Sequence, residues 1–349
     1  MPSEFSLIAR HFTRPTHHTV LGVGDDGAIA QPSPGMELIM STDMLVGGTH
    51  FLADTDPTAL GWKALAVNVS DLAAMGAQPR WAVLAAALPR TVANNEAWIA
   101  AFADGFFKCA SRYGIDIIGG DTTCGPLNFC VTIFGEAAPG RALRRSGAQP
   151  GDEIWVSGTP GRAALGLAHL QGRYTLNEPA RSDCLDALLR PQPRLELGTT
   201  LAQRGLATAA IDVSDGLLAD LGHILESSFV AASIDFACLP NTAMEYCRNA
   251  ELAQDCLLAG GDDYELLFTA PAARHAEIAA LAALLNLPLH CIGRIATETG
   301  KSGRLNLLDG AGKIIEYVQH GYDHFADLTS DAPSDAPSPS ASTPPERSP

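Results

Sequence analysis

Five short apolar runs in this chain close on aspartate. Asp25 and Asp26 follow Leu21-Gly-Val-Gly24, Asp43 follows Glu37-Leu-Ile-Met-Ser-Thr, and Asp121 follows Ile115-Asp-Ile-Ile-Gly-Gly. Asp212 follows Ala209-Ala-Ile, and Asp262 with Asp263 follows Leu257-Leu-Ala-Gly-Gly. A single strand ending in an acid is commonplace. Five of them predict strand ends converging on one acidic cleft, because ligands of α/β sheets lie beyond the carboxyl ends of strands. Asp71 belongs to a different element. Asp56-Pro57 reads as an N-cap followed by proline at the first helical position, opening a helix that runs towards Met75. Asn68 lies three residues before Asp71, on the same face of an otherwise apolar helix, so this polar pair either needs a partner or forms an exposed stripe or local cap.

Clustered carboxylates repel one another, and burying them unpaired is costly. Divalent cations relieve both problems. Oxygen ligands without neighbouring Cys or His pairs suit Mg²⁺ or Mn²⁺ better than zinc. Ser41-Thr42-Asp43 adds hydroxyl and carbonyl oxygens beside a carboxylate. The spacing of the acids excludes an EF-hand, since no D-x-[DN]-x-[DN]-G loop is present.

Familiar phosphate motifs fail on inspection. Gly22-x-Gly24-x-x-Gly27 spells a dinucleotide fingerprint, and Asp43 lies at a tempting distance beyond it. A Rossmann loop must open a helix, yet Gln31-Pro-Ser-Pro-Gly35 follows almost at once, and Asp25 and Asp26 would repel a pyrophosphate. Thr299-Gly-Lys-Ser302 resembles the end of a P-loop, but Ile295 stands where its first glycine belongs, which leaves a hairpin turn. Gly158-Thr-Pro-Gly161, ahead of Arg162, is open to two interpretations: a helix N-terminus offered to phosphate, or an ordinary strand–turn–helix junction. Lys63, Arg80, Arg141, Arg144 and Arg145 are the basic residues near the acidic motifs, each a phosphate clamp or a solvated surface charge.

The net charge of −16 argues against a nucleic-acid surface, since nothing forms a Lys/Arg stripe able to displace counterions. No secretory signal pattern opens the chain, and no apolar run approaches the roughly 18 residues that span a bilayer. Eight cysteines lie scattered without a C-x-x-C pair, which reads as reduced thiols in a cytoplasmic protein. Turn-rich Ser146–Asp152, before the strand-like Glu153–Ser157, divides the chain into domains 1–148 and 149–328. Residues 329–349, rich in Pro, Ser and Ala, are expected to form a disordered tail. Segments 216–226 and 274–285 read as helices, and their alternation with apolar runs predicts α/β or α+β layers. Val69-Ser-Asp71 recurs as Val213-Ser-Asp215 and Gly119-Gly-Asp121 as Gly260-Gly-Asp262, a weak internal echo in which both halves end in aspartate.

Nine motifs stand in order within residues 3–326: GVGDDGA, STDMLVGGTHF, LAVNVSDLAAMGAQP, IIGGDTT, GRALRRSGAQPGD, RPQPR, AIDVSDGLLADLGHI, GGDDYEL and GYDHF. Together they resemble the thiamine-phosphate kinase family, within the superfamily of aminoimidazole ribonucleotide synthetase-like ATP-dependent enzymes. A motif such as GGD is weak alone; nine in order are specific. The resemblance implies a two-domain α/β (α+β) fold whose N-terminal sheets pair to build a homodimer, with the first domain binding metal and ATP. It implies transfer of the ATP γ-phosphate to thiamine monophosphate with several Mg²⁺ ions. Carried over position by position, it implies metal ligands at Asp26, Ser41, Thr42, Asp43, Asp71, Asp121, Asp212 and Asp215. It places nucleotide contacts at Gly120, Asp121, Arg145 and Ser214, and thiamine-phosphate contacts at His50, Asp262 and Tyr322. Asp25 is left without a role. One departure stands out: the family's Gly-Gly-Glu-Asp-Tyr-Glu-Leu is Gly-Gly-Asp-Asp-Tyr-Glu-Leu here, so Asp262 is one methylene shorter than the usual glutamate.

The implied nucleophile is a phosphate oxygen, mostly dianionic at pH 7 because its second pKa is about 6, so no general base is expected. The obstacle is bringing two anions together, which the acids would overcome by holding cations. Other expectations stay open: another ATP-dependent enzyme of the superfamily, or a non-catalytic acidic metal-binding protein. Selenophosphate synthetase and the hydrogenase-maturation dehydratase would call for a reactive terminal cysteine, whereas the outermost cysteines are Cys109 and Cys291.

Overall fold

The computed structural model describes residues 4–296 and 303–317. A short hairpin, β1 (Thr19–Leu21) and β2 (Ile29–Ala30), precedes a four-stranded sheet in the order β3-β6-β4-β5. Its strands are β3 (Glu37–Val46), β4 (Gln78–Leu88), β5 (Asp116–Cys124) and β6 (Asn128–Ala137). Helices Pro57–Ala74 and Glu96–Tyr113 cover one face. The first starts as expected: Asp56 accepts from Ala59 N at 2.8 Å, with proline in the first turn. The second is capped by Asn95 and stopped by Gly114 in the left-handed region at φ 67°. The two helices approach closely because glycines face the crossing. A Cβ on Gly61 would lie 2.0 Å from Phe102 O, and one on Gly105 would lie 1.8 Å from Thr58 O. The opposite face of the sheet is open, with Leu38, Met40 and Met44 left 40%, 62% and 50% exposed.

A seven-stranded sheet follows, in the order β13-β12-β9-β11-β7-β10-β8. It comprises β7 (Glu153–Ser157), β8 (Ala209–Asp212), β9 (Ala232–Asp235), β10 (Leu266–Ala270), β11 (Leu289–Ile295), β12 (Leu305–Leu308) and β13 (Ile314–Ile315). Helices Leu217–Ser228 and His275–Leu285 match the two predicted segments to within two residues. The halves meet along the Pro57–Ala74 helix. A Cβ on Gly198 would sit 1.9 Å from Ala73 O, Trp62 Nε1 donates to Pro191 O at 2.8 Å, and Ser70 Oγ donates to Asp212 Oδ2 at 2.6 Å.

Three strand-end expectations are corrected. Asp43 and Asp121 lie within β3 and β5, which continue through Met44-Leu-Val and Thr122-Thr-Cys, residues that themselves favour strands. Leu257-Leu closes the Ala250–Ala259 helix, since a short apolar run does not by itself separate helix from strand. Only the Asp212 run ends a long-sheet strand on its acid. The internal echo does not map onto equivalent elements: Asp71 is in the last turn of a helix and Asp215 in a loop, while Gly119 is in a strand and Gly260 caps a helix end. All eight cysteines are unpaired. Among the described residues, no helix is long and apolar enough to cross a membrane.

Candidate active site

The glycine fingerprint forms a strand–loop–strand turn. Residues 22–28 link β1 to β2, Gly24 takes φ 132°, and no helix follows, so no dipole faces the loop. Asp25 and Asp26 are exposed there.

The larger cavity, about 950 Å³, opens between the two halves. Thr42, Asp43, His50, Asp71, Asp212, Ser214, Asp215 and Asp262 all line it. β3 carries Asp43 on its helix-facing side and supplies the partners that Asn68 and Asp71 on the Pro57–Ala74 helix needed. Asn68 Oδ1 accepts from Asp43 N at 3.1 Å while its Nδ2 donates to Ala64 O. Ser41 Oγ donates to Asp71 Oδ2.

Burial and mutual repulsion shift the carboxyls of this cleft upward. Burial, then the charges of Asp71 and Asp212, pushes the Asp43 carboxyl up to about 8. Asp71 is raised chiefly by burial, opposed by Ser41, Asp43 and the Arg145 guanidinium. Asp212 is pushed up to about 7 by burial and then by Asp71. Carboxylic acids set beside one another at such a depth repel when ionised, and a bound divalent cation would relieve that repulsion. Every donor is a hard oxygen, which fits a magnesium-type ion.

Several contributors take roles that the sequence did not assign them. Asp220, in the first turn of the Leu217–Ser228 helix, accepts from Ser214 N, Asp215 N and Gly216 N at 3.0–3.2 Å and so shapes the loop that carries Asp215. Its signal was visible: an acid in the first turn of an apolar helix. Asp263 accepts from Gly161 N and Ala163 N, so the helix N-terminus after Gly158-Thr-Pro-Gly161 is already occupied by a carboxylate; the ordinary junction holds. Arg194 of RPQPR forks onto buried Glu265, which Ser157 Oγ also reaches at 2.7 Å.

Not every expected site residue enters the cleft. Asp26, Gly120 and Asp121 line a second cavity of about 590 Å³, walled by Phe12, Trp98, Phe102 and Phe129, at the β5 edge of the four-stranded sheet. That cavity is more apolar, and among its acids only exposed ones occur, whereas the first gathers the buried Asp212 with the half-buried Asp43, Asp71 and Asp215. Arg145 stands outside the cleft lining but within electrostatic reach of Asp71 and Asp212. Tyr322, Thr299-Gly-Lys-Ser302 and residues 329–349 lie outside the described residues.

Comparison with known proteins follows the same division of the chain. The AIR synthase related protein N-terminal domain family matches residues 24–137, and the corresponding C-terminal domain family matches residues 149–306. The chain is 45% identical over 328 residues to the thiamine-monophosphate kinase of Escherichia coli K12, covering 93% of this chain and 98% of that one. The crystal structure of thiamine-monophosphate kinase from Stenotrophomonas maltophilia K279a superposes with a TM-score of 0.77 at 46% identity, over 88% of this chain and 95% of that one. A structure of AaThiL complexed with AMPPCP and TMP gives a TM-score of 0.72 at 32% identity, over 87% and 92% of the two chains.

Proposed function

This chain belongs to the thiamine-monophosphate kinase family, and we propose that the acidic cleft between its halves is where the family's reaction takes place. The protein phosphorylates thiamine monophosphate at the expense of ATP, yielding thiamine diphosphate. The observation that carries the siting is the convergence of Asp43, Asp71, Asp212 and Asp215 on one cavity.

Asp43, Asp71, Asp212 and Asp215 would hold magnesium, with Ser41 and Thr42 beside them. Bound magnesium would neutralise both sets of phosphates and draw charge onto the transferring oxygens. The chain's own groups do the positioning. Asn68 fixes the Asp43 backbone, Ser41 orients Asp71, and Ser70 ties Asp212 across the interface between halves. Asp220 holds the 214–216 loop, so that Ser214 and Asp215 face the cavity. The attacking group is a phosphate oxygen of thiamine monophosphate, which needs no base, so γ-phosphate transfer is direct and in line. His50 and Asp262, which line the cleft, would form its acceptor end.

Asp26, Gly120 and Asp121 join this reading through a second copy of the chain. β3 carries Asp43 and β5 carries Asp121, and these are the two edges of one sheet whose outer face is open and apolar. A homodimer that covers this face would bring the β5 edge of one copy beside the β3 edge of the other. Residues 1–148 would then serve metal, ATP and dimerisation, and residues 149–328 would close the cleft. The eight unpaired thiols support a cytoplasmic setting.

The direct test is ATP turnover with thiamine monophosphate. Wild type is expected to make thiamine diphosphate, and Asp43→Asn and Asp71→Asn to lose about a hundredfold or more in kcat. Near-normal rates in both variants would refute the cation-scaffold role of the cleft; an inactive wild type would refute the activity.

A further inference from the structure

The Pro57–Ala74 helix reaches the cleft with Asn68, Ser70 and Asp71, and also with a residue the reaction has not used. Lys63 is only 3% exposed, and its Nζ lies 3.0 Å from Asp262 Oδ2. Asp262 is held from three sides in all: Tyr264 Oη donates to its Oδ1 at 3.0 Å, and its own N donates to Ser214 O at 2.9 Å. Its backbone stands at φ 68°, a left-handed conformation that residues other than glycine adopt at a cost, so the neighbouring contacts hold it there. Lys63 also lines a small annex of about 110 Å³ that shares Thr49, His50 and Asp262 with the main cleft.

Both oxygens of Asp262 are thus engaged by the protein. An ammonium buried this deeply is costly without its carboxylate. An uncompensated Asp262, in a cleft already holding Asp43, Asp212 and Asp215, would repel an acceptor that carries a phosphate dianion. We infer that Lys63 is a positioning residue for the acceptor, which cancels the charge of Asp262 and fixes it at the acceptor end, so that the pair sets affinity for thiamine monophosphate and leaves ATP binding unaffected. Asp262 is anchored by Lys63 and Tyr264, and its task is to hold a wall. The inference rests on the acidic cleft being the kinase site.

Steady-state kinetics of the full chain, with each substrate varied, separates these roles. Lys63→Met and Lys63→Gln are expected to raise KM for thiamine monophosphate about tenfold or more, with KM for ATP changed by less than about twofold. Lys63→Arg, which keeps the charge, is expected to stay within about threefold of wild type for both substrates. The double variant Lys63→Met/Asp262→Asn removes both charges and is expected to recover at least about a third of the lost acceptor affinity. An unchanged acceptor KM, an equal rise in both KM values, or a double variant no better than Lys63→Met would overturn the inference. A wild type with no thiamine monophosphate turnover would instead remove the kinase assignment on which it stands.

Discussion

A carboxylic acid kept from water beside other carboxylates holds its proton well into the neutral range, and Asp43 and Asp212 do so at about 8 and about 7 against an ordinary 3.8. Without divalent cation, the folded chain therefore retains protons that the unfolded chain has released. Stability must then fall as the pH rises from about 4 through about 8 and level off above it, because the native state binds the excess protons across that window. Magnesium, which favours the ionised forms, should flatten the decline and bind more tightly at pH 8 than at pH 6, releasing protons as it does. Thermal melts across this range with and without Mg²⁺ check both signs; a cation-free Tm that climbs between pH 6 and pH 8 would count against the raised carboxyls of the cleft. At this scale much was legible. The types and clustering of the acids pointed to hard cations, and Asn68 with Asp71 announced a buried polar partnership. Ser70 and Asp263 were not legible, because their partners lie 142 and about 100 residues away in the chain.

The Pro57–Ala74 helix is the element on which the site depends. It packs against the Glu96–Tyr113 helix through Gly61 and Gly105, and against the Leu195–Arg204 helix through Gly198. Backbone oxygens occupy the space a methyl group would need, and backbone cannot swing aside as a flexible side chain can. Gly105→Ala and Gly198→Ala are expected to destabilise by about 1–3 kcal/mol in denaturant titrations. Gly27→Ala, with nothing within 4 Å of its added Cβ, is expected to leave the midpoint in place. Equal midpoints for all three would show that the helix is not gripped in this way. The start of this helix was readable from Asp56-Pro57, since capping is a local matter of a few residues. Strand lengths were less readable: an acid in the Asp43 and Asp121 runs looked like a terminus, yet sheet pairing carried both strands past it.

Across the whole molecule, the expected ligand set is divided between two cavities of one chain, and the shared dimer site proposed above would reunite it. Asp43→Asn and Asp121→Asn, each inactive alone, should regain activity when coexpressed. Random pairing makes half the dimers mixed, each with one intact site of two, so about a quarter of wild-type activity is expected. No recovery in verified heterodimers would place every ligand within a single chain.

What the sequence determined by itself was chemical and local: acids in apolar runs, a proline-started helix, a glycine loop unable to open a Rossmann helix, and nine ordered motifs that carry the family. These follow from residue type and near-neighbour geometry. Only the tertiary structure decided which acids meet. Asp71 and Asp212 come together because one helix is clamped between two glycine-lined crossings, and Asp121 is sent elsewhere because β5 lies at the far edge of the sheet. Such pairings depend on packing between segments far apart in the chain, and residue spacing carries no record of that distance.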